Sequence, residues 1–137
     1  MVLTTIENTS APLSAMTNGQ WVSVCTVDDI VPGTGVAALV DGEQVAIVRS
    51  PKGDKFYGLS NFDPFSRAFV IARGIVGDKA GVPKVASPIF KQSFDLRTGV
   101  CLDDPAVALT VYPVRVVDGC VEVLSGGTPS SRNSDAQ

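Results

Sequence analysis

The sequence predicts an all-β fold, an antiparallel β-sandwich or small barrel. Three observations lead there. Thirteen glycines and nine prolines in 137 residues leave little room for long helices, because both residues weaken a helix interior. Apolar residues recur at every second position in short runs, the period of a half-buried strand. Turn signals separate those runs at roughly 8–12-residue intervals, the spacing of sandwiches and barrels.

The elements follow in order. Trp21-Val22-Ser23-Val24 alternates apolar and polar and predicts a strand. Thr26 to Ile30 suits one helical turn capped by Thr26, ended by Pro32-Gly33. Val36–Val40 and Val45–Val48 flank Asp41-Gly42, a dipeptide suited to a tight hairpin turn. Pro51-Lys52-Gly53-Asp54 marks the next turn, and Phe56 to Leu59 a short strand leading into Asn61. Further on, Phe94-Asp95-Leu96 and Val100-Cys101-Leu102 flank Arg97-Thr98-Gly99 as a second hairpin. Val107 to Val117 is strongly β, but Pro113 has no N–H to donate and predicts an edge or a bend there. Asp118-Gly119 turns the chain into Cys120–Leu124. We expect one domain over 19–124, a flexible arm over 1–18, and a disordered tail over 125–137, which holds no large apolar residue.

Composition removes several classes of function. A net charge of −3 with no basic cluster argues against nucleic acid as a partner. No apolar run approaches the roughly 20 residues that span a bilayer. The first residues lack a basic segment followed by a continuous apolar one, so no signal peptide is expected. Cys25, Cys101 and Cys120 are scattered and odd in number, which fits free thiols in the cytoplasm better than a disulfide framework. There is no histidine. Ser-His-Asp and Cys-His nucleophile sites, and His-containing zinc sites, are therefore excluded within the chain.

The stretch from Asn61 to Gly99 carries most of the functional information. Two segments, Asp63-Pro64-Phe65 and Ser87-Pro88-Ile89-Phe90, stand on either side of a Gly-rich, charged connection. Their spacing, with Phe94-Asp95-Leu96-Arg97-Thr98-Gly99 behind them, resembles the Rieske ferredoxin family. Members of that family carry Cys-Pro-His, then Cys-Pro-x-His, then Phe-Asp-x-x-Thr-Gly. Both prolines and the trailing motif are present here; the four ligand positions hold Asp63, Phe65, Ser87 and Phe90. A Rieske centre needs two thiolates and two imidazoles, so no cofactor-binding, metal or catalytic residue is expected in this chain.

A cluster-less branch fits better. Ser60–Phe65, Arg73–Asp78, Ser87–Gly99 and Cys101–Asp103 resemble the small subunits of cytoplasmic NAD(P)H-dependent nitrite reductases. The resemblance, over about residues 20–124, implies a Rieske-like fold with a two-loop subdomain. It also implies a large-subunit partner that carries FAD, a [4Fe-4S] cluster and sirohaem and reduces nitrite to ammonium. A [2Fe-2S] electron-transfer ferredoxin and a stand-alone ligand-binding module are the alternatives.

At residue level, Phe65 and Phe90 are expected side by side at the tip, filling the space of a cluster with apolar volume. Asp63 and Ser87 are expected to accept from backbone amides of their turns. Phe69 and Ile89, in loops, suit the surface, and with Arg73 and Lys91 they are the candidate partner-facing residues. Cys101 has no histidine to activate it and is expected to be structural, and neighbouring Asp103 and Asp104 face apart. Arg73 to Lys79 lacks the ending of a phosphate loop.

Overall fold

The structure is a computed structural model, described for residues 19–126. The arm expected over 1–18, and residues 127–137 of the expected tail, lie outside the described residues. Twelve strands and two short 3₁₀ turns make up the described chain. All pairings are antiparallel.

The body consists of two sheets. Strands β1 (Trp21–Thr26), β12 (Cys120–Leu124) and β11 (Val114–Val117) form the first, in the order β1-β12-β11. The second has the order β10-β4-β3-β2, built from β2 (Gly35–Val40), β3 (Glu43–Arg49), β4 (Phe56–Ser60) and β10 (Val111–Tyr112). Asp41 and Gly42 join β2 to β3 with φ of 51° and 83°, the double positive φ of a type I′ turn, whose twist matches the strands it joins. Pro113 separates β10 from β11, and the two pieces pair in different sheets. The expected bend is thus the place where the chain changes layer.

Strand β3 explains the packing. Val45, Ala46, Ile47 and Val48 are all fully buried. Val45 and Ile47 join Ile30, Val40, Tyr112, Val121 and Val123 on one side. Ala46 and Val48 join Leu59, Ile71, Val85, Phe94 and Leu109 on the other. Successive side chains of a strand point to opposite faces, so a continuous apolar run marks a strand covered on both sides.

The second of those clusters fastens a subdomain to the body. It contains β5 (Phe62–Asp63) paired with β6 (Ala68–Phe69), and the sheet β7-β8-β9 of Ile75–Lys79, Val82–Ala86 and Ser93–Asp95. A 3₁₀ turn, Ile71–Arg73, links them. The hairpin expected around Arg97-Thr98-Gly99 forms through a single bridge, Phe94 to Cys101.

At the C-terminal side the domain continues past the expected boundary at 124. Ser125 is buried; its N–H donates to the Gln20 carbonyl at 2.8 Å and its Oγ accepts the Gln20 N–H at 3.0 Å. These bonds prolong the β1–β12 ladder by one residue. No helix among the described residues is long and apolar enough to cross a membrane.

Candidate functional site

The site is built on two loops of matching construction, Asp63-Pro64-Phe65-Ser66-Arg67 and Ser87-Pro88-Ile89-Phe90-Lys91. In the first, Asp63 Oδ1 accepts the Phe65 N–H at 2.9 Å and the Asp63 carbonyl accepts the Arg67 N–H at 2.7 Å. In the second, Ser87 Oγ accepts the Ile89 N–H at 3.3 Å and the Ser87 carbonyl accepts the Lys91 N–H at 3.1 Å. Proline follows the anchor in both loops because its fixed φ suits that turn position. The fifth residue has positive φ in both, 62° at Arg67 and 69° at Lys91.

The anchors are joined to each other. Ser87 Oγ donates to Asp63 Oδ2 at 2.6 Å, and both residues are fully buried. Ser66 Oγ donates to the same oxygen at 2.8 Å. Burial pushes the Asp63 carboxyl up, but these bonds together outweigh it and hold the group below the usual carboxylate range. Asn61, also buried, secures the entry to the first loop. Its Oδ1 accepts the Ala72 N–H at 2.7 Å and its Nδ2 donates to Gln44 Oε1 at 3.1 Å. The loops are therefore held at their bases by side chains.

The four ligand positions do not suit a Rieske cluster. Neither carboxylate, hydroxyl nor phenyl supplies the thiolate and imidazole donors that centre needs. The two buried positions are hydrogen-bonded directly to one another. No group of three or more His, Cys, Asp or Glu side chains that could hold a metal ion occurs among the described residues.

The two phenylalanines part company. Phe65 is half-buried against the core, its ring 6.2 Å from that of Phe94. Phe90 is 57% exposed, which corrects the expectation that it fills the tip beside Phe65. Phe90 lies on the crest of a turn closed below it by the Lys91-to-Ser87 bond. Phe69 and Ile89 are exposed, as are Arg73 and Lys91. The sequence reading missed Ile75, 62% exposed and paired with Ala86 next to Ser87. It also missed Arg67 and the Asp63–Ser87 bond. The repeated anchor-Pro-x-x-cation pattern was the available signal for the matching loops.

The motif behind the loops has a structural job. Asp95 accepts the Arg97 N–H at 2.8 Å and its guanidinium at two distances of 3.1 Å. Gly99, at φ 82°, lies so close to the Leu109 carbonyl that a Cβ would collide with it. Cys101 is fully buried, and burial pushes its thiol up, the opposite of what a nucleophile needs. An open groove of about 470 Å³ lies elsewhere, between the turn at residues 50–55 and the β7–β8 hairpin; Lys52, Lys55, Asp54 and Asp78 give it mixed charge.

Comparison with known proteins is consistent with this geometry. Residues 20–124 match the family model described as a Rieske-like [2Fe-2S] domain. The nitrite reductase (NADH) small subunit of Salmonella typhimurium is 46% identical over 104 residues, covering 76% of this chain and 96% of that protein. The chain belongs to the Rieske-like nitrite reductase small subunits. A crystal structure from Mycobacterium tuberculosis, named for an NADH-dependent nitrite reductase small subunit, superposes with a TM-score of 0.74 at 47% identity. It covers 77% of this chain and 95% of that one. A third relative is of another kind. The nitrite reductase [NAD(P)H] large subunit of Klebsiella oxytoca is 38% identical over 109 residues, 80% of this chain but 11% of that protein. In the small-subunit family, then, the same unit occurs both alone and within a much longer polypeptide.

Proposed function

We propose that this chain is the non-catalytic small subunit of a cytoplasmic NAD(P)H-dependent nitrite reductase. It docks on the large subunit and supports it, while FAD, the [4Fe-4S] cluster and sirohaem reside in that partner. The complex would serve nitrogen assimilation by reducing nitrite to ammonium.

The observation that carries the reading is the Klebsiella oxytoca large subunit, which holds a segment like this chain within one polypeptide. Two units joined covalently meet at a high effective concentration. Where the same unit is a separate chain, a binding surface has to do the work of the linker. The geometry supports a supporting rather than a chemical role. The clasp offers no donor set for a redox centre, and its one carboxylate is committed to Ser87, Ser66 and Phe65. The ferredoxin reading would need the thiolate and imidazole ligands absent at these positions.

The test is reconstitution. The two chains, expressed together, are expected to co-purify, and omitting this chain is expected to lower NAD(P)H-dependent nitrite reduction. Nitrite reduction by the isolated chain would overturn the proposal.

A further inference from the structure

The two matching loops both place a cation at a backbone position that L-residues avoid. Arg67 and Lys91 have φ of 62° and 69°, in the left-handed region where glycine is the default. Each is the fifth residue of its loop, and each donates its N–H back to the loop's anchor. Both side chains are exposed. Of the five described non-glycine residues with positive φ, Asp41, Arg67, Ala80, Lys91 and Asp118, these two are the cations, and they hold matching places in the paired loops.

What surrounds them is apolar. Nine large hydrophobic residues are exposed among the described residues, and four of them are Phe69, Ile75, Ile89 and Phe90. Each is tied closely to the Asp63–Ser87 bond. Phe69 pairs with Phe62, the neighbour of Asp63, and Ile75 pairs with Ala86, the neighbour of Ser87. Ile89 and Phe90 belong to the second loop. The two loop segments are themselves mostly cationic. Between Phe62 and Gly77, and between Lys84 and Gln92, the charged residues are Arg67, Arg73, Lys84, Lys91 and Asp63. Within these segments only Asp63 is acidic, and it is buried; the exposed Asp103 carboxylate lies behind the second loop, where it accepts the Ser93 N–H at 2.8 Å. The cationic excess of the segments stands in a chain whose net charge is −3.

We propose that this tip is the docking face, and that it seats on an apolar, carboxylate-rimmed surface of the large subunit, with Phe69, Ile89 and Phe90 as anchors and Arg67 and Lys91 as a paired charge clamp. The inference rests on the proposed subunit role and adds the face and the chemistry of its complement. Exposed aromatic side chains bordered by cations form the centre and rim of such an interface. The cations would steer the encounter and fix its register.

The test uses the full chain titrated against the large subunit of the same organism. In the double variant Arg67→Gly/Lys91→Gly, glycine relieves the left-handed backbone while removing both charges. Its thermal midpoint should equal or exceed that of the wild type, and its affinity should fall by about tenfold or more. Wild-type binding should weaken as salt is raised, and that dependence should shrink in the variant. Phe69→Ser/Phe90→Ser should likewise weaken binding, whereas Val31→Ser, an exposed residue beside the Arg49 end of β3, should not. Tip variants that bind as tightly as the wild type would overturn this face and leave the subunit role standing. If they alter self-association but not large-subunit binding, the patch is a contact between copies and the inference is likewise overturned. If the wild-type chain does not bind at all, the subunit role itself fails.

Discussion

Asp63 Oδ2 accepts a hydrogen bond from Ser87 Oγ at 2.6 Å across 24 residues of sequence, and both side chains are fully buried. In a Rieske protein the equivalent positions hold thiolates that meet through iron. Here the two loops meet through one hydrogen bond. The shape of the clasp is thereby kept by ordinary polar chemistry.

Asp63→Ala should destabilise the domain by about 2–4 kcal/mol, since it leaves two hydroxyls and an amide without their acceptor in a buried site. Asp63→Asn keeps one carbonyl acceptor and offers an amide that a rotated hydroxyl can accept, so its cost should be nearer about 1 kcal/mol. Urea unfolding with a shared m-value checks the order.

Acid should loosen the same lock. Asp63 is held below the usual carboxylate range: burial alone would raise it, and the bonds from Ser87, Phe65 and Ser66 more than offset that. Asp95 is lowered in the same way, with burial opposed by Arg97. In both, the unfolded state binds its proton first as pH falls. Their stabilisation is thus complete above the unfolded value of about 4 and lost as pH drops through the lower folded values. Unfolding midpoints should be flat from neutral pH to about 5 and fall below about 4, with a shallower fall in Asp63→Asn.

Two glycines in turns should respond differently to alanine. Gly119 has φ 79° and open space, whereas Gly99 has φ 82° and the Leu109 carbonyl in the way. Gly119→Ala should cost about 1 kcal/mol for backbone conformation alone. Gly99→Ala has to move the backbone at Leu109 as well and should cost about 3 kcal/mol or more, read from melting curves.

How much of this was legible in the sequence depends on how local the cause is. Asp41-Gly42 fixed a turn from two adjacent residues. Val45–Val48 showed a hairpin strand, though not its burial on both faces, and Pro113 showed a break from one residue. The Asp63–Ser87 bond joins two polar residues far apart, and no periodicity signals it. Phe65 and Phe90 are chemically alike, but one faces the core and the other sits on a turn crest, which residue type cannot distinguish. The left-handed Arg67 and Lys91 are hidden because glycine, the usual mark of positive φ, is missing there.

The cysteines should separate by accessibility. Burial raises the thiols of both Cys101 and Cys25, Asp29 adding to the latter, but Cys101 is fully buried while Cys25 and Cys120 are partly exposed. Iodoacetamide under native conditions should label Cys25 and Cys120 first, and Cys101 only after unfolding. Mass spectrometry of timed digests reads the order.

The clasp is closed by the Asp63–Ser87 hydrogen bond, and we propose that it carries no redox centre. The direct measurement is iron and sulfide analysis of the purified chain after incubation with ferrous iron and sulfide under reducing conditions, with electron paramagnetic resonance after dithionite reduction. The expected result is a colourless protein without stoichiometric iron and without a reduced-cluster signal. Two irons per chain with a Rieske-type signal would contradict it.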